Sequence, residues 1–190
     1  MSHADILTNP ILELIPEGHF TILDIACGFG DWGHLIKTRK NGSYHLTGVE
    51  IWTPYLERLK RLKIYDELIE ADVRYYETSR KYDIIIACEL LEHLKREEGF
   101  KLLDTLESAC DLRIIISTPH GLTDQSALDE NDFQRHISAW FREDFKNRGY
   151  KIKVIRQPLR PKRLPKRIIR AIFGKPYAEF IIAHKDFQHE

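Results

Sequence analysis

The sequence has few cysteines, no long apolar run and no excess of charge of either sign. Its cysteines, Cys27, Cys88 and Cys110, include no Cys-x-x-Cys pair, and an odd, unpaired set indicates a reducing compartment. No apolar run approaches the ~20 residues of a membrane span, and no basic stretch followed by an apolar one opens the chain. A cytoplasmic location is therefore expected. The formal net charge is +0, which favours no particular class of partner.

The chain has the length of one folded domain, which we expect over residues 1–190. Its hydrophobic content of 43% is enough to form a core. Short apolar runs alternate with segments of helical spacing, which predicts a doubly wound α/β fold with a parallel sheet and helices on both faces. The predicted strands are 20–26, 44–50, 68–71, 82–88, 112–117, 150–156 and 177–183. The predicted helices are 31–39, 95–109, 140–148 (capped by Ser138) and one capped by Thr53.

The most informative segment is 22–33, where an apolar run ends in Asp24 and leads into Gly28, Gly30 and Gly33. Gly28 and Gly30 can adopt positive φ and let the backbone approach a ligand closely. The glycines also satisfy a dinucleotide-binding pattern, which is weak evidence alone. Asp24, at the mouth of the turn, would repel a pyrophosphate and suits a ligand with an ammonium or sulfonium charge.

This segment, Asp-Ile-Ala-Cys-Gly-Phe-Gly, resembles the first motif of class I S-adenosylmethionine-dependent methyltransferases, and the resemblance covers residues 20–150. It implies a Rossmann-like sheet of seven strands in the order 3-2-1-4-5-7-6, with strand 7 antiparallel. Ala26 replaces the commonest first glycine of the motif, a mild change provided that its φ is negative. The residues that the motif assigns to S-adenosylmethionine are Asp24, Ala26, Cys27, Gly28 and Gly30.

Acids also follow the next three predicted strands, at the sheet edge where open α/β folds bind ligands. They are Glu50, Asp72 and Glu89. Glu50 lies twenty residues after Gly30, and a carboxylate can accept both hydroxyls of a ribose. The resemblance gives Glu50 that role and implies that Ile51 or Trp52 flanks the adenine. It implies that Asp72 accepts the adenine amino group and that the Val73 N–H meets the ring.

The segment Glu89-Leu90-Leu91-Glu92-His93 resembles a Glu-x-x-Glu-His sequence that shapes the acceptor pocket in many methyltransferases. Two subgroups, quinone-pathway O-methyltransferases and small-RNA 2′-O-methyltransferases, bind a divalent ion through it. The RNA enzymes have another histidine four residues before a tryptophan, a spacing that His136 and Trp140 share. By this resemblance the candidate metal ligands are Glu89, Glu92, His93 and His136. Such a set suits Mn²⁺ better than Mg²⁺.

The alternative for the same residues, which we favour at this stage, is structural: Glu92 caps the next helix and His93 packs under a loop. Under either interpretation His93 and His136 lie near the acceptor and are the candidate catalytic groups, as a base or as orienting groups. His120 is a third candidate. The polar stretch 123–132 is predicted to be a mobile lid.

A basic insertion, 156–176, precedes the last predicted strand, and eight lysines and arginines with no acid fall within 156–175. Such a stretch can contact RNA phosphates or an anionic membrane surface. A helix packed on the sheet edge explains it equally well.

The expected function is transfer of a methyl group from S-adenosylmethionine to a small or mid-sized acceptor, through an oxygen. One alternative is a non-catalytic S-adenosylmethionine-binding module that docks through the basic insertion. A more distant one is a nicotinamide-dependent oxidoreductase, which leaves Asp24 and Asp72 unexplained and lacks a Tyr-x-x-x-Lys proton donor.

Overall fold

The computed structural model describes residues 3–127, 130–158 and 177–187. The strands of this part of the chain are β1 (Gly18–Ile25), β2 (Gly42–Glu50), β3 (Glu67–Glu70), β4 (Tyr82–Cys88), β5 (Cys110–Pro119), β6 (Lys151–Pro158) and β7 (Tyr177–Asp186). Its α-helices are α1 (His3–Leu12), α2 (Asp31–Arg39), α3 (Thr53–Leu62), α4 (Arg96–Ala109) and α5 (Arg142–Lys146). Two 3₁₀ turns cover Leu91–His93 and Asp132–Gln134.

The strands form one sheet in the order β3-β2-β1-β4-β5-β7-β6. Strands β1 to β5 are parallel to one another, whereas β7 runs antiparallel to both β5 and β6. The predicted fold class, strand order and antiparallel seventh strand are therefore confirmed. Because the five parallel strands point the same way, their carboxyl ends share one edge, where the functional residues are expected.

The sheet lies between two layers of helices, and alternate residues of its central strand serve the two layers. Ile84 and Ile86 of β4 pack on the side of α1, α2 and α3, and Ile85 packs with Leu103 of α4 and Phe145 of α5. All five of these side chains are fully buried. The triple isoleucine of β4 is thus explained by a strand that is covered on both faces.

Several predicted helix boundaries are wrong. Thr53 is the first residue of α3 rather than its cap, since the N-cap is Trp52. The last helix begins at Arg142 rather than at 140, and Ser138 does not cap it. The Ser138 hydroxyl instead donates to the Leu91 carbonyl at 3.1 Å. Helix α1 was not predicted.

The predicted basic insertion falls mostly outside the described residues, because 156–158 belong to β6 and 159–176 are not described. Its proposed contacts with RNA or a membrane surface therefore stay predictions. Among the described helices, none combines the length and apolar character needed to cross a lipid bilayer.

Candidate functional site

The turn after β1 takes up the left-handed conformation that its glycines permit. Gly28 has φ 53° and Gly30 has φ 83°. A Cβ on Gly30 would lie 2.5 Å from the Leu59 side chain, whereas one on Gly28 would meet nothing closer than a carbonyl 4.0 Å away. Gly30 is therefore needed for packing against α3, and the open side of Gly28 faces a cleft.

Ala26 also lies in the left-handed region, with φ 57°. The expectation of a negative φ there is wrong. The backbone of this turn follows the path that a glycine would take, so the alanine is held in a conformation that its Cβ disfavours. Strained positions of this kind persist where the surrounding structure fixes them, often at functional sites.

A first cleft, with about 760 Å³ of space between its walls, opens at the carboxyl ends of β1 to β4. It brings together most of the predicted cofactor residues: Ala26, Gly28, Glu50, Ile51, Asp72, Val73 and Glu89. It also holds residues that were not predicted, chiefly Arg74, Leu90, Leu94, Phe133, Gln134 and Ile137. The apolar members of this set suit a flat ring, and the acids suit polar groups attached to it.

Glu50, at the end of β2, is buried and joins the two loops that border this cleft. Its Oε2 accepts a hydrogen bond from the Gly28 N–H at 2.9 Å. Its Oε1 accepts from the Ile51 N–H at 2.9 Å and the Trp52 N–H at 2.8 Å. A carboxylate has about four lone-pair positions, so one remains here for a ligand hydroxyl, rather than the two that the prediction assumed.

Asp72 and Val73 lie on the far side of the first cleft. The Asp72 carboxylate accepts from the Arg74 guanidinium at 2.5 Å and from its backbone N–H at 2.9 Å. These hydrogen bonds hold the pKa of Asp72 below its usual range. Arg74 also stacks over the Phe133 ring, 5.8 Å from its centroid. Arg74 therefore connects the loop after β3 to the segment that covers the cleft. This contact joins residues far apart in sequence and has no local sequence signal.

Asp24 does not lie where the sequence predicted. Its carboxylate is 2% exposed and is not among the residues that line the clefts described here. It accepts a hydrogen bond from the Tyr65 hydroxyl at 2.5 Å instead. Burial raises the pKa of Asp24 to about 7, and the nearby Glu50 adds to the rise. Asp24 therefore lies beneath the turn, bonded to Tyr65, and its contact with S-adenosylmethionine stays a prediction.

Another cleft opens on the helix side of the glycine turn and is lined by Cys27, Gly28, Asp31 and Glu89, among others. Its two acids could face a positively charged ligand, which is the role that the sequence analysis gave to Asp24. Asp31 was missed because an acid in the first turn of a helix is ordinarily explained by the helix dipole.

Glu89 is the residue that connects these clefts. It lines the first cleft, the cleft beside the glycine turn and a second cleft of about 790 Å³. Its φ of 51° is left-handed, and Ser117 of β5 fixes it: the Glu89 N–H donates to the Ser117 carbonyl and the Ser117 hydroxyl donates to Oε1, both at 2.8 Å. Burial raises the pKa of Glu89 to about 7.

The second cleft contains the predicted acceptor-side residues. It is lined by Glu89, Glu92, His93, His136, Thr123 and Gln134, together with Pro119, Asp124, Gln125, Ala178 and Phe180. The two histidine rings are in edge contact, with centroids 4.8 Å apart. Burial lowers the pKa of His93 to about 4. His120 is outside this group, because its Nδ1 lies 3.0 Å from the Glu179 carboxylate.

Glu92 is buried rather than capping α4. Its Oε2 accepts from the Thr118 hydroxyl at 2.9 Å, and its Oε1 has no hydrogen-bond partner. The N-terminus of α4 is served by Glu98, whose carboxylate accepts from the Lys95 N–H at 2.9 Å. The capping role that the sequence suggested for Glu92 is wrong.

The predicted lid, 123–132, lines the second cleft through Thr123, Asp124 and Gln125. The residues that cover the first cleft come later, from Asn131 to Ile137. The Ile137 N–H donates to the Glu92 carbonyl at 2.8 Å, which fixes this cover to the acceptor-side turn. The mobility of the predicted lid stays a prediction.

The chain is similar in sequence to known methyltransferases. Residues 22–111 match a family model described as a methyltransferase domain. The chain is 31% identical over 121 residues to (S)-tetrahydroprotoberberine N-methyltransferase of Eschscholzia californica, an alignment that covers 60% of this chain and 34% of that protein. The chain thus spans about a third of the length of the curated relatives it matches.

Solved structures show the same fold. A complex of DhpI with SAH has a TM-score of 0.64 at 15% identity, and the match covers 98% of this chain and 87% of that chain. Coclaurine N-methyltransferase bound to N-methylheliamine and SAH has a TM-score of 0.61 at 15% identity, covering 96% and 70%. At such identities the likeness establishes the fold and nothing more specific.

Proposed function

We propose, from the premise that this chain belongs to the class I S-adenosylmethionine-dependent methyltransferase family, that it transfers the methyl group of S-adenosylmethionine to a small or mid-sized acceptor. The observation that carries the proposal is the junction at Glu89, where a cleft suited to a nucleoside meets a cleft suited to an acceptor. Methyl transfer requires this arrangement, since donor and acceptor must meet in line with water excluded.

In the first cleft, Glu50 would accept a ribose hydroxyl through its remaining lone pair. The adenine would lie against Ile51, with Asp72 and the Val73 N–H at its polar edge. These roles are those that the sequence resemblance gave, and the lining of the cleft supports them.

The amino-acid end of S-adenosylmethionine carries an ammonium group. We place it in the cleft beside the glycine turn, where Asp31 and Glu89 offer carboxylates. The buried Asp24, hydrogen-bonded to Tyr65, keeps a supporting role beneath the turn. The positive sulfonium would then lie near Glu89.

The acceptor would occupy the second cleft and attack the methyl carbon as the carbon–sulfur bond breaks, which leaves neutral S-adenosylhomocysteine. An oxygen acceptor is the proposal that the polar wall favours, because a hydroxyl must lose its proton and His93, His136 and Glu89 can accept or direct it. A nitrogen acceptor is the second candidate, because the relatives' names describe N-methyltransferases.

Turnover can be tested on the purified full chain by following S-adenosylhomocysteine with panels of catechols, simple alcohols and secondary amines, with and without Mn²⁺. We expect product with at least one class, and the preferred class identifies the acceptor atom. Product with amines alone would overturn the oxygen proposal. Binding of S-adenosylmethionine without turnover on any panel would favour the non-catalytic module instead.

A further inference from the structure

We propose that the Gln134 side chain, on the segment that covers the first cleft, contacts the sulfonium group of S-adenosylmethionine and orients the attacking group of the acceptor. Among the residues that the structure describes, Glu89 and Gln134 alone line the first cleft, the second cleft and the cleft beside the glycine turn. This role rests on the proposed function and adds a residue at the reacting atoms.

The meeting of three clefts matches the chemistry of a sulfonium, whose sulfur carries three carbon substituents. Under the proposed function the adenosyl group occupies the first cleft and the amino-acid chain occupies the cleft beside the glycine turn. The methyl group then faces the acceptor in the second cleft. Because the three substituents diverge from one atom, the sulfur must lie where the three clefts meet. The residues that line all three, Glu89 and Gln134, therefore border the reacting methyl group.

The backbone around Gln134 is fixed by hydrogen bonds within the covering segment. Gln134 ends the 3₁₀ turn that begins at Asp132. Its N–H donates to the Asn131 carbonyl at 3.1 Å, and its carbonyl accepts from the Gln125 side chain at 2.9 Å. Asn131 is 1% exposed, and its side chain accepts from the Phe133 N–H at 3.0 Å. The direction in which the Gln134 side chain leaves the backbone is thus preorganised.

The Gln134 carboxamide is available to a ligand. The residue is half-buried, and within the described part of the chain its carboxamide takes part in no hydrogen bond. The amide of Gln125, in contrast, is used to hold the Gln134 backbone, and Ser117 occupies one oxygen of Glu89. An amide offers one oxygen that accepts and two N–H groups that donate. It can therefore bind an acceptor whose reacting group is either a hydroxyl or an amine.

The carboxamide oxygen would accept a hydrogen bond from the O–H or N–H of the acceptor, which turns a lone pair of the attacking atom toward the methyl carbon. The attacking atom forms its bond to that carbon while the carbon–sulfur bond breaks, and the electron pair of the broken bond stays on sulfur. The acceptor proton leaves to a basic group of the second cleft or to water, because an amide is too weak a base to take it. Gln134 thus orients the acceptor and moves no proton.

The contact is tested by calorimetric titration of the full chain with S-adenosylmethionine and with S-adenosylhomocysteine. The first has a positive sulfonium and the second a neutral sulfur, so the ratio of their dissociation constants reports charge placed near the sulfur. We expect Gln134→Lys to weaken S-adenosylmethionine at least about tenfold more than S-adenosylhomocysteine, and Gln134→Glu to shift the ratio the other way.

The matched control is Asp132→Asn, which raises the net charge by the same one unit as Gln134→Lys and lies on the same turn. Asp132 is exposed and is not among the described residues that line the three clefts. Solvent and salt screen a charge at such a position, so the ratio should stay within about twofold of the wild-type value.

The orienting role is tested by turnover with the acceptor class that gives product. Gln134→Leu has a similar size and no amide, and it should lower kcat at least about tenfold because the attacking group is no longer aligned. Its dissociation constant for S-adenosylmethionine should change less than kcat does. Gln134→Glu keeps an oxygen that accepts and should retain more of kcat than Gln134→Leu. A merely structural role would not rank the two variants in this order.

An unchanged ratio in both charged variants would overturn the contact, while binding of S-adenosylmethionine by the wild type would leave the proposed function standing. A shifted ratio without turnover by the wild type would support the contact and overturn the orienting role together with methyl transfer. No binding by the wild type would remove both proposals. Each variant is checked for a wild-type unfolding transition, and Gln134→Glu carries the test should Gln134→Lys fail to fold.

Discussion

Single residues at the glycine turn combine strain with function. Ala26 has φ 57° where the related motif most often has glycine, and it lines both the first cleft and the cleft beside the turn. A left-handed alanine costs about 1–2 kcal/mol relative to the right-handed conformation. The hydrogen bonds that Glu50 accepts from Gly28, Ile51 and Trp52 help to hold the turn in place.

Replacing Ala26 with glycine should therefore stabilise the protein. The relief of left-handed strain exceeds the extra entropy of glycine in the unfolded chain, so we expect the free energy of unfolding to rise by about 0.5–1 kcal/mol. Denaturation by urea measures this. Ala71→Gly is the matched control: Ala71 is not among the residues with positive φ, and its replacement should lower stability by a similar amount. A destabilised Ala26→Gly variant would show that the turn is not strained.

At the residue scale, the side-chain orientation of Asp24 could not be predicted from the sequence. The pattern correctly placed an acid at the end of β1. Side chains alternate along a strand, and Asp24 shares the side of Ile22, where its partner is Tyr65, forty-one residues away. A tertiary contact of this kind has no local signal. The sequence also could not show that one Glu92 oxygen has no hydrogen-bond partner, because this too depends on tertiary contacts.

The helices and strands were predictable where the apolar periodicity of the sequence is strong. Their ends were less predictable where tertiary contacts determine them. The parallel strands were predicted from their apolar runs, and the acids that follow these strands lie at one edge of the sheet. Strand β5 continues past its predicted end at 117 because its antiparallel pairing with β7 extends to Pro119. Helix α5 begins later than predicted because Trp140 is drawn into the core, where it lies against Gly99 of α4.

The contact between α4 and Trp140 provides a test at the scale of elements. A Cβ on Gly99 would lie 2.5 Å from the fully buried indole ring. We expect Gly99→Ala to lower the free energy of unfolding by about 1–2 kcal/mol, because overpacking outweighs the better helix propensity of alanine. The exposed Lys101→Ala on the same helix should change it by less than about 0.5 kcal/mol. Equal urea midpoints for the two variants would contradict the packing described here.

At the scale of the whole molecule, the clefts described above lie at one edge of the sheet. The ends of β1, β2 and β4 supply the turn, Glu50 and Glu89, and the segment from Asn131 to Ile137 covers them. Topology explains why sequence reasoning found most of this site: parallel strands bring their carboxyl ends together whatever their separation in sequence. It could not find Arg74, Phe133 or Gln134, since loops come together through packing that has no period.

The central claim is that this edge binds S-adenosylmethionine, and calorimetric titration of the nucleoside into the full chain tests it most directly. We predict saturable binding by the wild type, and binding that is about ten- to a hundredfold weaker in Glu50→Gln, since charged hydrogen bonds are worth about 1.5–3 kcal/mol. The control Glu70→Gln, at the register position opposite Glu50 on β3, should bind normally. No saturable heat, or an unchanged dissociation constant in Glu50→Gln, would contradict the account.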